Sequence, residues 1–309
     1  MMRSALLWLS ERQSIFNFVR RNRLAKRAAS RCVAGETIEE GVAAVKDLAS
    51  RGITATLDLL GESVKDPAQA SQAADEYIEI LQALHAAGVE VNASLKLTQM
   101  GFDLDESECE GNLRRILTVA RELNGFVRID MESSAYTQRT LDFHARLAAD
   151  FGPHVGVVIQ TSLRRSDKDI ADLIASGTRV RLCKGAYLEP ASVAYPDKKD
   201  VDAAYLRLMQ QLVTSGNYPG LATHDEAIIS QVKQFVTENG IPRDRFEFQM
   251  LHGVRRDLQD GLAAEGWRIR VYVPFGTQWY PYLMRRLAER PANLMFIVGN
   301  MFKEGARRK

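Results

Sequence analysis

The chain has 309 residues, of which 46% are hydrophobic, and its formal net charge is only +2. A chain of this composition can bury a large core, and so small a net charge does not indicate a nucleic-acid partner. The cysteines Cys32, Cys109 and Cys183 lie far apart, without a CxxC pair. This spacing predicts neither a zinc site nor a disulfide framework. We therefore expect no metal site and a reducing, cytoplasmic location.

The first 30 residues are rich in arginine and contain a single acid, Glu11. Such a composition can be mistaken for a transit peptide. We predict instead a helical arm over residues 1–50, with peripheral contact to an anionic inner membrane surface as the weaker option. No apolar run is long enough to span a membrane. Residues 51–309 are predicted to form one catalytic domain.

From residue 36 onward, segments of helical periodicity alternate with β-rich runs. The predicted helices are Thr37–Ser50, Pro67–Ala87, Leu104–Leu123, Thr137–Phe151, Asp167–Ser176, Val201–Ser215, Asp225–Asn239 and Arg255–Glu265. The predicted strands are Ile53–Leu60, Val89–Leu97, Phe126–Met131, Val155–Gln160, Arg179–Cys183, Gly220–Thr223, Phe246–Leu251 and Arg268–Val273. Strand–helix alternation implies parallel pairing. Eight such units predict an α/β fold, a closed (β/α)8 TIM-type barrel, with an open doubly wound sheet as the competing fold.

Polar side chains gather where the predicted strands end, which is the functional face of such a barrel. They are Asp58, Glu62, Lys96, Asp130, Glu132, Gln160, Arg181, Lys184, Thr223, His224, Asp225, Gln249, His252 and Tyr272. Some of them could have purely structural roles. Lys96 could form an ion pair with Asp130 and only fill the barrel, and Gln160 could hydrogen-bond to the backbone of a loop. The two lysines Lys96 and Lys184 also allow a Schiff-base aldolase. A barrel that only senses a carboxylate ligand is a further alternative.

A last helix is predicted near the C-terminus, where Pro281 suits a first turn and Pro291 marks the stop. Tyr282, Arg285 and Arg286 share one face of this helix. Paired guanidinium groups are a natural receptor for a small carboxylate or phosphate, although a solvated basic face is the ordinary alternative. We expect this helix to lie over the mouth of the barrel.

Six motifs of the chain resemble those of the proline dehydrogenase family, in the family's order. They are Leu95–Leu97, Ile129–Glu132, Arg181–Glu189, Ala222–Asp225, Phe246–Leu251 and Tyr282–Asn293. The resemblance extends from about residue 50 to residue 295 and is closest to the short monofunctional bacterial members. It implies a (β/α)8 barrel that binds FAD and oxidises L-proline to 1-pyrroline-5-carboxylate by hydride transfer from C5. It leaves homo-oligomer formation open.

The resemblance also implies roles for individual residues. Arg285 and Arg286, helped by Lys96, would bind the proline carboxylate. Asp130 and Tyr272 would form a polar pair that shapes the pocket, and Arg181 would sit beside the flavin. The walls around the ring would be Tyr187, Leu251 and Tyr282. The FAD would be lined by Met131, Gln160, Lys184, Gly185, Ala186, Thr223 and His224. Electrons would pass to a membrane quinone.

Overall fold

The computed structural model describes residues 32–61, 63–280 and 282. Its strands form one closed barrel in chain order. They are β1 (Thr54–Leu59), β2 (Asn92–Leu95), β3 (Phe126–Ile129), β4 (Val155–Gln160), β5 (Arg179–Cys183), β6 (Gly220–Ala222), β7 (Glu247–Leu251) and β8 (Ile269–Phe275). Every neighbouring pair is parallel, including β8 with β1. The predicted closed barrel is therefore confirmed, and the open sheet is excluded.

Helices alternate with these strands along the chain. They are α1 (Ile38–Ser50), α2 (Pro67–Ala86), α3 (Glu106–Glu122), α4 (Ser134–Phe151), α5 (Ser166–Ala175), α6 (Lys198–Ser215), α7 (Glu226–Glu238) and α8 (Arg256–Ala264). Short 3-10 turns follow β2, α4 and α7. Residues 1–31 of the predicted arm over residues 1–50 lie outside the described residues, as does the C-terminal helix beyond Tyr282.

Helix α1 packs against both β1 and β8. Its start is fixed by a capping box, because the Thr37 side chain accepts from the Glu40 backbone while the Glu40 side chain accepts from that of Thr37. Gly41 faces the barrel so closely that an added Cβ would lie 3.2 Å from Phe275 and 3.3 Å from Leu57. The helix therefore belongs to the outer layer, between the last strand and the first.

The core follows from strands that are apolar along their length. All six residues of β4 are buried, as expected for a parallel strand covered on both faces. Large aromatic groups from the outer helices, Tyr77, Phe143 and Tyr205, are fully buried against this wall. This packing gives the rigid frame on which the strand ends are held.

The N-terminal end of the barrel is filled by a buried ionic network. The Arg270 guanidinium donates from Nε to Glu247 at 2.7 Å and from a terminal nitrogen to Glu90 at 2.8 Å, and it also reaches the Ala55 carbonyl. Arg128 donates to the carbonyls of Val157 and Arg179. Because these groups satisfy one another, this end of the barrel is structural, and the opposite end is left for chemistry.

Candidate active site

The side chains predicted at the strand ends meet at the C-terminal end of the barrel. Asp58 lies in β1, Arg181 in β5 and Tyr272 in β8, whereas Lys96 and Asp130 directly follow β2 and β3. The side chain of Asp58 is 1% exposed, that of Arg181 is 8% exposed and that of Asp130 is 15% exposed. Charged groups so well removed from water need partners, and those partners define the site.

Arg181 is the centre of this cluster. It donates from Nε to Oε1 of Gln249 at 2.5 Å, and its two terminal nitrogens reach Oδ1 of Asp130 at 2.7 Å and Oγ of Ser94 at 3.2 Å. Its guanidinium carbon also lies 5.2 Å from the centre of the Tyr272 ring. A guanidinium held by three acceptors is a fixed positive charge with little freedom to move.

Tyr272 and Asp130 form a second contact of the cluster. The Tyr272 hydroxyl donates to Oδ2 of Asp130, with 2.9 Å between the oxygens. Burial raises the pKa of Tyr272 well above its ordinary value, and the nearby Asp130 carboxylate adds to this rise. The phenol therefore keeps its hydrogen, and both oxygens of Asp130 are engaged, one by Arg181 and one by Tyr272.

Lys96 lies beside Asp58. Its Nζ is 4.0 Å from Oδ1 of Asp58, and the Lys96 side chain is 18% exposed. In the described contacts Lys96 lies against Asp58, whereas Asp130 accepts from Arg181 and Tyr272. Lys96 thus lies next to a buried carboxylate, while its own side chain is partly exposed.

Gly185, in the segment after β5, comes close to Gln160 and Ser162 at the end of β4, and we call the place where these three residues meet the crevice. Gln160 is buried and donates its amide hydrogen to the Glu132 carbonyl at 2.7 Å, while its Oε1 meets no donor within the described residues. Gly185 has φ of +100°, and an added Cβ would lie 2.4 Å from Oγ of Ser162 and 2.8 Å from Oε1 of Gln160. Only glycine suits this backbone and this space. The crevice therefore combines close backbone approach with a free acceptor.

Lys184 sits among carboxylates rather than free in the site. Its Nζ lies 2.6 Å from Oδ1 of Asp202 and 3.0 Å from Oδ2 of Asp225. These ion pairs occupy the amine that a Schiff-base aldolase would need as a nucleophile. They also fix the segment that follows β5 against the start of α7.

Thr223 and His224 shape the turn after β6. The Thr223 hydroxyl accepts from the Asp225 backbone at 3.1 Å. Nε2 of His224 accepts from the Leu251 backbone at 2.9 Å, which assigns the ring hydrogen to Nδ1 of a neutral imidazole. Both contacts order backbone at the mouth of the barrel.

The remaining predicted residues divide between buried walls and an exposed loop. Met131 and Tyr282 are buried and Leu251 is half-buried. Tyr187 is 44% exposed on the segment after β5, next to the half-buried Ala186. This segment is tied down at Glu189, which accepts from the backbone and the hydroxyl of Ser134.

Two of the predicted substrate ligands, Arg285 and Arg286, lie outside the described residues, as does Glu62. Their predicted contact with a carboxylate stays a prediction. The other fourteen predicted site residues all lie near the C-terminal end of the barrel, and Asp130, Arg181 and Tyr272 are in direct contact. Within the described ranges, no group of acidic, histidine and cysteine side chains could hold a metal ion. Nor does any helix there have the length and hydropathy to cross a membrane.

Sequence reasoning did not assign Gln249 or Ser94 to Arg181, and it did not pair Asp58 with Lys96. Gln249 and Ser94 accept from Arg181, and Asp58 lies against Lys96. Gly220 makes room for Gln249, since an added Cβ would lie 2.2 Å from its Nε2. Asp58 and Gln249 stand at predicted strand ends, which is a signal for them, whereas a serine inside an apolar strand such as Ser94 gives none.

Comparison with known proteins agrees with this geometry. The family model described as proline dehydrogenase matches residues 42–298. The chain is 48% identical to a proline dehydrogenase of Deinococcus radiodurans over 305 residues, covering 97% of this chain and 98% of the relative. It is 42% identical to proline dehydrogenase 1 of Bacillus subtilis, covering 98% of this chain and 100% of the relative.

A solved structure of proline utilization A from Bdellovibrio bacteriovorus, inactivated by N-propargylglycine, superposes with a TM-score of 0.80 at 25% identity. The match covers 89% of this chain but only 34% of that longer one. The family match spans the barrel and every described residue of the cluster around Arg181. The chain therefore belongs to the proline dehydrogenase family, a family of oxidoreductases.

Proposed function

We propose that this chain oxidises L-proline to 1-pyrroline-5-carboxylate, the first step of proline catabolism, with FAD as its redox cofactor. The family match over residues 42–298 carries this proposal. The site supports it, because fixed charges meet at the C-terminal end of the barrel and the Lys184 amine is held in ion pairs with Asp202 and Asp225.

The described residues fit a flavin. The buried Oε1 of Gln160 needs a donor, and the ring of a flavin carries an N–H group. Gly185 lets the backbone pass close to Gln160 and Ser162, where an added Cβ would clash. Lys184, Thr223 and His224 order the adjoining turns, and Met131 and Ala186 add apolar surface. When bound, FAD supplies an acceptor for two electrons and a hydrogen, chemistry that side chains alone do not offer.

The protein's own part is to bind and orient the substrate. Lys96 would meet the carboxylate of proline, together with Arg285 and Arg286 of the last helix. Tyr187, Leu251 and Tyr282 would enclose the pyrrolidine ring and exclude water. Such enclosure holds C5 in one place and strengthens every charge interaction in the site.

Arg181, Asp130 and Tyr272 would set the electrostatics. Because Arg181 is held by three acceptors, its charge needs no rearrangement when negative charge develops beside it. Asp130 and Tyr272 would hold the Arg181 side chain in a fixed position relative to the pocket wall. These residues act by fixed geometry, while the redox chemistry is that of the cofactor.

A quinone is the electron acceptor that we propose, as in the family that the motifs resemble. Peripheral contact with an anionic membrane through residues 1–30 and homo-oligomer formation are further parts of the proposal. A flotation assay with anionic vesicles would test the first: loss of flotation on deleting residues 1–30 supports it, and unchanged flotation removes it.

The proposed activity is tested by turnover with a soluble quinone and mass analysis of the product. We expect a product lighter than proline by two hydrogens and one quinone reduced per proline consumed. We also expect N-propargylglycine, which inactivates the Bdellovibrio protein, to cause time-dependent loss of this activity. Absence of both product and inactivation, in protein loaded with FAD, would reject the proposed function.

A further inference from the structure

Asp58 is a buried carboxylate that the roles assigned above leave unexplained. Its side chain is 1% exposed, and no described residue donates a hydrogen bond to either of its oxygens. The nearest cation, Lys96, stands at 4.0 Å from Oδ1, which is ion-pair distance rather than a hydrogen bond. An unsatisfied carboxylate so far from water is costly unless it serves a ligand or a reaction.

The other groups around Asp58 cannot supply the missing donor. Tyr272 lies close enough to lower the pKa of Asp58, but its single hydroxyl hydrogen goes to Asp130 at 2.9 Å. The Tyr77 hydroxyl donates to the Ser94 carbonyl at 2.8 Å. The charged and titratable groups that influence Asp58 come from several elements of the barrel: Lys96 after β2, Asp130 after β3, Arg181 in β5, Tyr272 in β8 and Tyr77 in α2.

The substrate brings the donor that is missing. Proline carries a carboxylate and an ammonium group at neutral pH, and the amine must lose its extra proton before its lone pair can form the C=N bond of the product. Asp130 is fully engaged by Arg181 and Tyr272, and His224 is engaged by the Leu251 backbone. Among the described carboxylates of the cluster, Asp58 is the one whose two oxygens both lack a hydrogen-bond donor.

We propose that Asp58 is the proton acceptor for the substrate's ammonium group. One N–H bond of the ammonium breaks, one O–H bond forms on Asp58, and no electrons are transferred in this step. The neutral amine then has the lone pair that the C=N bond requires. A bound FAD would accept the hydride from C5, and the iminium so formed would release its remaining N–H proton to water to give 1-pyrroline-5-carboxylate. Asp58 returns its proton to solvent once the product has left. This inference rests on the proposed oxidation of proline.

The electrostatics of the site suit this role. Burial raises the pKa of Asp58, Lys96 lowers it in part, and Asp130 raises it further. A base is more effective as its pKa approaches the working pH. Lys96, drawn toward the substrate carboxylate, would leave Asp58 facing the amine.

The test is the pH dependence of kcat/KM for proline in FAD-loaded enzyme, with Asp58→Asn as the variant. In the parent enzyme the rate should rise with pH as Asp58 ionises and then level off. In the variant no group takes the proton, so only proline that is already neutral reacts. The rate should be lower by about 100-fold at neutral pH. It should then climb about tenfold per pH unit until the proline amine itself titrates.

Thr56→Val is the matched control, because Thr56 is a fully buried residue of the same strand whose hydroxyl also has no partner within the described chain. Because the Thr56 hydroxyl is not a proton acceptor in this reaction, the pH profile of kcat/KM in Thr56→Val should have the same shape as that of the parent enzyme. If Asp58→Asn also ran parallel to the parent, merely displaced downward, Asp58 would have only a structural role and the proposal would be overturned.

A second measurement does not depend on the variant folding or on turnover. Tetrahydrofuran-2-carboxylate has the ring of proline with oxygen in place of the amine, so it offers Asp58 no hydrogen. It should bind the parent enzyme more tightly as the pH falls and Asp58 becomes protonated, as measured by calorimetry. Binding that does not change with pH would contradict the proposal. A parent enzyme that never oxidises proline would instead reject the proposed function.

Discussion

The Tyr272 hydroxyl donates to Oδ2 of Asp130 across 2.9 Å, and this bond joins β8 to the residue that follows β3. The other oxygen of Asp130 accepts from Arg181 at 2.7 Å. Asp130 is therefore the shared acceptor of the cluster, and the orientation of Arg181 depends on it. Removing any one of the three should disturb the other two.

Tyr272→Phe removes the bond to Asp130 and keeps the ring beneath Arg181. We expect kcat/KM for proline to fall by about tenfold, the scale of one lost hydrogen bond to a charged group. The measurement is steady-state turnover with a soluble quinone. Tyr205→Phe is the control, because Tyr205 is buried in α6 and its hydroxyl has no partner in the described residues. An equal loss of kcat/KM in Tyr272→Phe and Tyr205→Phe would contradict a specific role for the hydrogen bond between Tyr272 and Asp130.

Gly185→Ala should impair cofactor binding. The new Cβ would meet Ser162 at 2.4 Å and Gln160 at 2.8 Å on a backbone with φ of +100°. We expect purified variant to hold markedly less FAD per chain, measured by absorbance after release of the cofactor.

Gly177→Ala separates this clash from backbone strain alone. Gly177 has φ of +68°, but an added Cβ there meets nothing within 4 Å. It should cost about 1 kcal/mol of stability and leave the FAD content unchanged. Full FAD content in Gly185→Ala would argue against the crevice as the cofactor site.

Arg285→Met and Arg286→Met test the predicted carboxylate ligands of the last helix. Each should weaken kcat/KM for proline by about 2–4 kcal/mol, the scale of removing one partner of a buried charge pair. FAD content should survive. Arg207→Met, which removes an exposed partner of Asp167, should leave kcat/KM unchanged. An unaltered KM for proline in both helix variants would defeat the assignment.

Glu247→Gln tests the ionic network at the opposite end of the barrel. Burial alone would raise the pKa of Glu247, but Arg270 outweighs it and the pKa lies below its ordinary value of 4.5. A lowered pKa in the folded state stabilises the protein above pH 4.5, and this contribution is lost as the pH falls through the folded-state pKa. The variant should therefore be less stable by about 3 kcal/mol at neutral pH.

Denaturant unfolding of both proteins at neutral pH and below pH 4.5 measures that difference. The difference in the free energy of unfolding between parent and variant should narrow at acid pH. A gap independent of pH would show that the charge of Glu247 does not supply the stability.

Much of the fold could be predicted because its signals are local. The strands Val155–Gln160 and Arg179–Cys183 have the predicted bounds, since turn residues flank apolar runs on both sides. The second strand is shorter than predicted: it ends at Leu95, and Leu97–Met100 forms a 3-10 turn. The apolar pattern continues through that turn because its residues are buried too.

The contacts within the site could be predicted only in part. Strand ends identify Asp58, Arg181, Gln249 and Tyr272, because chain order alone places them at one end of a barrel. Which of them touch depends on register and on side-chain direction across the barrel, and periodicity does not specify either. The sequence does not show that Asp58 lacks a hydrogen-bond donor, because this depends on which other groups its neighbours in the folded chain already bind.

The central claim is tested most directly by the visible absorption spectrum of the purified, FAD-loaded protein without oxygen, before and after adding L-proline. The account predicts flavin bands that bleach on addition of proline, with one proline consumed per flavin reduced. Flavin bands that do not change when proline is added would contradict proline as the substrate and leave FAD as the cofactor. Protein that takes up no FAD would contradict the account of the crevice at Gln160 and Gly185 as well.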